Sequence, residues 1–339
     1  MTFLIAVVML GLIIFVHELG HFLTAKLFKM PVSEFSIGMG PQVFSVDTKN
    51  TAYSFRAIPI GGYVNIEGME VGSEVENGFS SKPAYQRFVV LFAGVFMNFL
   101  MAFILLFAVA KINGRIEYDT NAIIGGLVKG GANEQILKVD DKILELDGKK
   151  INVWTDISKI TKASQNKEEI SALIERNGKE ENITLKLTKD EENNRVVLGI
   201  SPKYKKFNLS ATESLDFAKN SFNSIFTDTL KGFFTLFSGK ASLKEISGPV
   251  GIFKVVGEVS KFGWVSIISL CVVLSINIGV LNLLPIPALD GGRILFVLLE
   301  LFGIKVNKKW EEKLHKGGMI LLLFFILMIS VNDVWKLFN

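Results

Sequence analysis

Cysteine is almost absent from this sequence of 339 residues, because Cys271 is the only one. A lone cysteine has no partner within the chain, which excludes an intrachain disulfide framework and leaves the redox compartment open. Histidine is nearly as scarce, and two of its three copies, His17 and His21, stand close together near the N-terminus. This pair makes the N-terminal stretch the first candidate site.

A strong excess of charge of either sign is also missing. The formal net charge is +4 and no dense tract of Lys and Arg occurs, so nothing indicates nucleic-acid binding. The chain is 49% hydrophobic and 21% charged, with a mean hydropathy of +0.39. It is too apolar for a typical soluble protein and too charged for one confined to lipid, which predicts a protein of the lipid bilayer with an aqueous portion.

Four apolar stretches are long enough to cross a hydrocarbon core, which takes roughly 20 helical residues. They are Thr2 to about Ala25, Phe88 to about Ile112, Trp264 to about Leu284, and Gly317 to about Val334. The first lacks the basic n-region and small-residue cleavage site of a signal peptide, and it carries His17, Glu18 and His21. We therefore expect a retained membrane helix.

Basic residues are concentrated in the two loops that follow the first and third spans. The first loop carries Lys26, Lys29, Lys49, Arg56, Lys82 and Arg87, and the second carries Arg293, Lys305, Lys308, Lys309, Lys313 and Lys316. Because basic loops stay on the inner side of a membrane, both loops are expected inside. Both termini and the segment between the second and third spans are then expected outside.

The segment from about Arg115 to Lys205 is polar and is predicted to form one small aqueous domain. Its strand-like runs are 183–187 and 196–200, and its turn signals are Asp147-Gly148 and Asn177-Gly178. The stretch from Ile136 to Ile151 resembles the part of a PDZ domain that reads Leu-x-x-Gly-Asp-x-Ile and then Asn-Gly. The length fits one PDZ-like module.

Residues 211–237 show a helical pattern interrupted by charge. Apolar residues recur near helical period at Leu215, Phe222, Ile225, Phe226, Phe233 and Phe237, whereas Asp216, Lys219, Asp228 and Lys231 break the run. Since each charge at mid-bilayer costs about 2.5 kcal/mol or more, an amphipathic helix on the outer membrane face is favoured. A fifth span stays open as the alternative.

The loop after the first span contains Gly38-Met39-Gly40-Pro41 and the run from Tyr53 to Val64. β-Branched and aromatic residues in that run, with Pro59 restricting one edge, predict extended strands that end in a turn at Gly61-Gly62. An ordinary surface hairpin is the alternative interpretation.

His17-Glu18-Leu19-Gly20-His21 has the H-E-x-x-H pattern. On a helix both imidazoles stand on one face and can reach one zinc ion, while Glu18, about 100° round from His17, flanks a metal-activated water. The alternative is a pair of buried structural histidines. Three ionisable groups in a membrane helix are costly and usually mark function, which favours the metal.

A third ligand is required, and Asp290 is the best candidate near membrane depth. It follows Pro285 and Pro287 and precedes Gly291-Gly292, so the helix is broken just where the third span ends. Non-helical backbone at this depth is tolerated where it is buried in protein or lines a watery cavity. The alternative is an aspartate that only caps the next helix.

These motifs together resemble the bacterial site-2 protease family, regulator-of-sigma-E protease (RseP) type. The resemblance rests on H-E-x-x-H, on Asn282-x-x-Pro-x-x-x-Leu-Asp-Gly-Gly, on the PDZ-like insert and on Gly248-Pro249-Val250-Gly251-Ile252, and it covers nearly the whole chain. This sequence has room for one PDZ domain, where well-studied members have two. Any role of paired PDZ domains in excluding bulky substrates is therefore in doubt here.

The resemblance implies one Zn²⁺ per chain, held by His17, His21 and Asp290, with Glu18 as the general base. It implies transmembrane substrates of the anti-sigma factor type or remnant signal peptides, in the bacterial inner (cytoplasmic) membrane. The active site would lie near the cytoplasmic side. Candidate substrate-binding residues are Asn282, Asn277, Tyr53, Phe55, Ile58, Gly61 and Gly62.

The predicted fold class is a polytopic α-helical membrane protein of about four spans, with a membrane-associated β-hairpin loop and one inserted PDZ-like α+β domain. The predicted domains are 1–114 (two spans and the β-loop), 115–205 (PDZ-like), 206–263 (interfacial helices) and 264–339 (two spans and the Asp-Gly-Gly loop).

Two other functions are possible interpretations of the same sequence, namely a non-enzymatic membrane scaffold and a metal-ion transporter. Glu18 argues against a scaffold with a structural metal, and the scarcity of ligands in spans two and four argues against a metal transporter.

Overall fold

The computed structural model describes residues 2–69, 75–118, 121–128, 130–190, 195–239, 248–304 and 306–338. The chain divides into two compact units. The first contains Met1–Ala110 and Ala211–Asn339, and the second contains Lys111–Ser210. The second unit is thus an insertion into the sequence of the first.

The secondary structure of the described chain is mostly helical in the first unit and mostly strand in the second. The helices are α1 (Thr2–Leu27), α2 (Ala84–Asn113), α3 (Trp154–Ala163), α4 (Ala211–Phe237), α5 (Pro249–Ser260), α6 (Trp264–Leu283), α7 (Asp290–Leu301) and α8 (Lys308–Phe338). The strands are β1 (Val32–Asp47), β2 (Ala52–Ile66), β3 (Arg115–Tyr118), β4 (Ile124–Leu127), β5 (Lys142–Leu146), β6 (Lys149–Lys150), β7 (Glu169–Arg176), β8 (Lys179–Lys186), β9 (Thr188–Asp190), β10 (Arg195–Val197), β11 (Ile200–Pro202) and β12 (Tyr204–Phe207).

Four helices within the described ranges are long and apolar enough to cross a membrane. They are Thr2–Leu27, Ala84–Asn113, Trp264–Leu283 and Lys309–Asp333. Each contains or overlaps one of the predicted apolar stretches, so the prediction of four spanning-length helices is confirmed. The predicted helix at 211–237 forms the continuous α4, which is not among these four helices.

Close backbone contact joins α1 and α2, the two helices nearest the candidate site. A Cβ atom at Gly20 would overlap the backbone carbonyl of Ala93, so only glycine allows this approach. Buried Ile13 and Leu91 contribute to the apolar packing around α1 and α2 respectively. This contact brings the third turn of α2 beside the histidines of α1.

The first loop forms a long antiparallel hairpin, β1 with β2, whose register shifts repeatedly between Val32↔Ile66 and Asp47↔Ala52. The predicted strands are present, but the predicted end at Gly61-Gly62 is wrong, because β2 continues to Ile66. Gly61 adopts φ +101°, and a Cβ there would collide with Met39. Glycine is therefore needed at this irregular point of β2, because the neighbouring strand leaves no room for a side chain.

The second unit is built on a four-stranded sheet with the order β6-β5-β7-β8. Asp147-Gly148 joins β5 to β6 and Asn177-Gly178 joins β7 to β8, with positive φ at all four residues, as the turn signals predict. Arg176, the last residue of β7, forms a partly buried ion pair with Asp141 at 2.6 Å. Ile143, Ile174 and Leu185 form part of its apolar core.

The Gly248-Pro249-Val250-Gly251 motif forms the start of α5. The backbone N–H of Gly251 donates to Oδ2 of Asp333 on α8 at 2.8 Å. A Cβ at Gly248 would lie 2.6 Å from Cγ2 of Ile329, so glycine lets α8 approach closely. An aspartate near the end of α8 thus caps the N-terminus of α5.

Candidate metal centre

Two histidines on α1 face each other across one helical turn. His17 and His21 are 7% and 5% exposed, and their Nε2 atoms are 3.2 Å apart. Their rings meet edge to face, with centroids 4.8 Å apart. The i, i+4 spacing on a helix accounts for this arrangement.

Asp290 reaches the same point from the other end of the chain. Because Pro285 and Pro287 interrupt the helix, α6 ends at Leu283 and α7 begins at Asp290 itself. A Cβ at Gly291 would overlap the Leu284 carbonyl, so the connection folds tightly on itself. The carboxylate Oδ2 of Asp290 lies 3.0 Å from Nε2 of His17 and 3.3 Å from Nε2 of His21.

The three donor atoms fit a zinc ion. Zinc–nitrogen distances of about 2.0–2.1 Å in a tetrahedral site place neighbouring donor atoms about 3.3 Å apart. The three pairwise distances here are 3.0, 3.2 and 3.3 Å. Two imidazoles and one carboxylate are also the donor set of catalytic zinc sites with an open fourth position. Among the described residues, His17, His21 and Asp290 form the one such donor cluster.

Residues on α2 orient the two imidazoles. Nδ1–H of His21 donates to the Val90 carbonyl at 2.8 Å, which leaves Nε2 free to bind a metal. The buried amide of Asn98 lies 3.4 Å from Nδ1 of His17, and Ser275 donates to the Asn98 backbone carbonyl at 2.9 Å. A Cβ at Gly94 would overlap both rings, so this glycine makes the room that they occupy.

Glu18 lies beside the donor cluster, one position along α1 from His17. The backbone N–H of Val64 on β2 hydrogen-bonds to the Glu18 carboxylate. Gly62 is also close, since a Cβ there would lie 3.8 Å from Cγ of Glu18. The backbone of strand β2 therefore lies next to the Glu18 carboxylate.

The predicted substrate-binding residues fall into two groups. Nδ2 of Asn282 lies 3.5 Å from Nε2 of His17, so Asn282 is part of the centre, as Gly62 is through Glu18. Asn277 instead accepts a hydrogen bond from Thr229 of α4 at 2.6 Å. The remaining residues lie on β2, where Phe55 and Ile58 are each 52% exposed, Tyr53 packs on Phe22 and Gly61 faces Met39.

Sequence reasoning did not identify Val90, Gly94 or Asn98 as parts of this centre. Asn98 carried a usable signal, because it is an amide in the middle of an otherwise apolar span. Val90 contributes through its backbone carbonyl, which no side-chain pattern reveals. Gly94 shows only as one more small residue in a membrane helix.

An H-E-x-x-H helix, a distant aspartate and four spanning-length helices together define a membrane metalloprotease. The sequence profile of peptidase family M50 matches residues 5–325. The chain belongs to this family and is a metalloprotease of the site-2 type.

Relatives from several bacteria match over their whole length. The chain is 92% identical over 339 residues to a Fusobacterium nucleatum protein provisionally named a zinc metalloprotease, with 100% of both chains covered. It is 33% identical over 338 residues to a similarly named Clostridium acetobutylicum protein, covering 97% of this chain and 96% of the relative. It is 27% identical over 420 residues to the regulator of sigma-W protease RasP of Bacillus subtilis, covering 99% of each.

Among solved structures, the PDZ domain of an SdrC-like protein from Listeria monocytogenes matches 25% of this chain and 90% of that domain. The sequence identity is 15% and the TM-score is 0.23.

Proposed function

We propose that this chain hydrolyses peptide bonds of transmembrane substrates, with one zinc ion held by His17, His21 and Asp290 and with Glu18 as the general base. The observation that carries the proposal is the spacing of the three donor atoms, 3.0 to 3.3 Å, which matches the edge of a tetrahedral zinc site. Glu18 stands next to this cluster without belonging to it, which suits a base and not a ligand.

Zinc, when bound, supplies a Lewis acid that polarises the scissile carbonyl and makes water more acidic. Glu18 takes the proton from the attacking water and delivers it to the leaving amine. Val64 fixes the carboxylate by donating its backbone N–H. Val90 and Asn98 hold the imidazoles so that both Nε2 atoms face the same point.

Substrate is proposed to bind along the β1–β2 hairpin. A transmembrane helix hides its carbonyls in hydrogen bonds to residues one turn away, so it must unwind before it is cut. Strand β2 passes Glu18 at Gly62 and Val64, which supports pairing of the freed substrate backbone with this strand. Asn282, beside His17, is the candidate for holding the substrate near the cut.

The proposed substrates are single-pass membrane proteins. The relative from Bacillus subtilis is named as a regulator of sigma-W, which favours membrane-anchored regulators of the anti-sigma factor type. Remnant signal peptides have the same chemistry, namely one apolar helix with little outside the bilayer. The second unit, as a PDZ-like domain, would select substrates outside the membrane.

The proposed orientation follows the positive-inside rule, with both termini and the second unit outside. Cysteines introduced at Lys49 and Lys309 should react with reagents from the inner side, and one at Asn177 from the outer side. Cys271 is buried and free, so background labelling should be low. The opposite labelling pattern would contradict this orientation.

The test of the proposed chemistry uses the full-length protein in liposomes with a model single-span substrate. Glu18→Gln should abolish cleavage while zinc content stays near that of the parent protein. His17→Ala, His21→Ala and Asp290→Ala should each lower zinc content and cleavage together. Loss of zinc in Glu18→Gln would make Glu18 a ligand, and an active, zinc-loaded Asp290→Ala would remove Asp290 from the site.

A further inference from the structure

The third histidine of the chain, His315 on α8, has no part in the proposed chemistry, yet it lies at the loop that carries Asp290. Its Nδ1 accepts a hydrogen bond from the backbone N–H of Ala288 at 3.2 Å. The residue is buried, with 8% of its surface exposed. An α8 side chain therefore holds the backbone of the α6–α7 connection.

Ala288 is a position where the backbone needs such support. Its φ is +81°, in the left-handed region that costs a non-glycine residue about 1–2 kcal/mol. Within the described chain, no backbone carbonyl accepts a hydrogen bond from its N–H group. The histidine is thus the acceptor that satisfies this N–H and keeps the strained conformation in place.

The contact between α8 and the loop is close along a full turn of helix. A Cβ at Gly318 would lie 2.7 Å from the carbonyl oxygen of Pro287, so glycine permits the approach. The His315 ring also meets the ring of Phe296 on α7, with centroids 5.6 Å apart. The imidazole is therefore wedged between the loop and the helix that begins with Asp290.

Simple packing does not account for a histidine here. Because Nδ1 accepts a hydrogen bond, neutral His315 carries its proton on Nε2, and Nε2 is buried with no partner among the described residues. A buried unsatisfied donor costs about 1–3 kcal/mol, which an apolar residue of similar size would avoid. What the imidazole offers over an apolar residue is the Nδ1 acceptor for the Ala288 N–H group.

We propose that His315 is a positioning residue for the metal centre. By holding the Ala288 backbone, it sets the direction in which Asp290, two residues later, presents its carboxylate to His17 and His21. This inference rests on the proposed function of the same site. It assigns a role to α8, a helix that contributes no donor atom to the cluster.

The experiment compares two pairs of variants in the full-length protein. His315→Leu keeps the volume and removes the acceptor, whereas His315→Asn places an amide oxygen near the position of Nδ1. Gly318→Ala pushes a methyl group against Pro287, whereas Gly317→Ala, its neighbour, meets nothing within 4 Å. Zinc affinity is measured by competition with a chelator, and kcat and KM are measured on a model transmembrane substrate.

Loss of a group that orients a metal ligand typically costs about 10–100-fold in metal affinity or activity. His315→Leu should weaken zinc binding in that range and lower kcat with little change in KM, since the hairpin that would hold substrate is untouched. His315→Asn should recover most of the loss. Gly318→Ala should behave as His315→Leu does, and Gly317→Ala should behave as the parent protein does.

The proposal is overturned if His315→Leu keeps the parent zinc affinity and kcat, or if His315→Asn is damaged equally. If His315→Leu does not fold, the glycine pair decides, and equal zinc affinity in Gly318→Ala and Gly317→Ala overturns it. Failure of the parent protein to bind zinc or to cleave would instead refute the proposed function.

Discussion

Oδ2 of Asp290 lies 3.0 Å from Nε2 of His17, although 273 positions separate the two residues in the chain. The contact joins the start of α7 to the middle of α1. The approach depends on glycines, because Gly20 lets α2 reach α1 and Gly291 lets the α6–α7 connection close. The candidate metal centre is thus a product of helix packing as much as of its ligands.

Gly94→Ala should damage the centre without touching a ligand. The added methyl group would overlap the rings of His17 and His21, and crowding of this kind in a packed core typically costs about 1–3 kcal/mol. Because 1.4 kcal/mol corresponds to a factor of ten, we expect a loss of zinc affinity of roughly 5- to 150-fold, measured against a chelator. Gly232→Ala is the matched control, because nothing lies within 4 Å of that position. Parent-like zinc binding in Gly94→Ala would contradict the observed packing.

Asn98→Leu should weaken zinc binding by about 10–100-fold, as is typical when a partner of a ligating histidine is lost. When Nε2 of His17 binds a metal, Nδ1 carries the proton and needs an acceptor, which the Asn98 amide can present. Asn98→Asp keeps an acceptor at the same place and should restore most of the affinity. If the two variants bind zinc equally well, Asn98 does not orient His17.

The β1–β2 hairpin should loosen in acid. Partial burial raises the pKa of Glu34, but hydrogen bonds from Ser54, Tyr63 and Arg56 together lower it by more. The pKa of Glu34 therefore lies below its usual value. Arg56 also forms an ion pair with Glu34 at 2.7 Å. Since the folded-state pKa is lowered, the stabilisation is complete above the ordinary glutamate pKa of about 4.3 and is lost as pH falls through the folded value.

Hydrogen exchange in the hairpin measures this effect. The parent protein should exchange faster below about pH 4, whereas Glu34→Gln should exchange faster at neutral pH and show a weaker pH dependence. Ser45→Ala is the control within the same hairpin, because the Ser45 hydroxyl donates its hydrogen bond to exposed Asp47 and not to Glu34. If the hairpin exchanges equally fast in the parent protein and in Glu34→Gln at neutral pH, Glu34 does not stabilise the hairpin.

Residues 124–202 should be removable without loss of the chemistry. Lys203 donates its backbone N–H to the Ile123 carbonyl at 2.9 Å, so the two ends of this segment are neighbours and a short flexible linker can join them. Cleavage of a short transmembrane peptide should stay close to the parent rate, because the segment holds none of the donor residues. Substrates with bulky outer domains should become cleavable if the domain acts as a filter. Complete inactivity of a folded, zinc-loaded deletion would contradict both expectations.

Much of the fold could be predicted from sequence because its signals are local. Hydropathy over roughly 20 residues indicates a spanning helix, and all four predicted spans coincide with helices of sufficient length. Asp147-Gly148 and Asn177-Gly178 indicate tight hairpin turns because their residues tolerate positive φ. The i, i+4 spacing of His17 and His21 likewise places both rings on one face before any tertiary contact is known.

What only the tertiary structure decided is which distant groups meet. The carbonyl of Val90 and the missing side chain of Gly94 have no sequence pattern of their own, yet both shape the positions of the histidines. The sequence did not reveal that Asn277 accepts a hydrogen bond from Thr229, or that His315 accepts one from the Ala288 backbone. Periodicity and hydropathy depend on neighbours along the chain, but these contacts depend on how closely whole helices approach, which is set by the summed packing of many side chains.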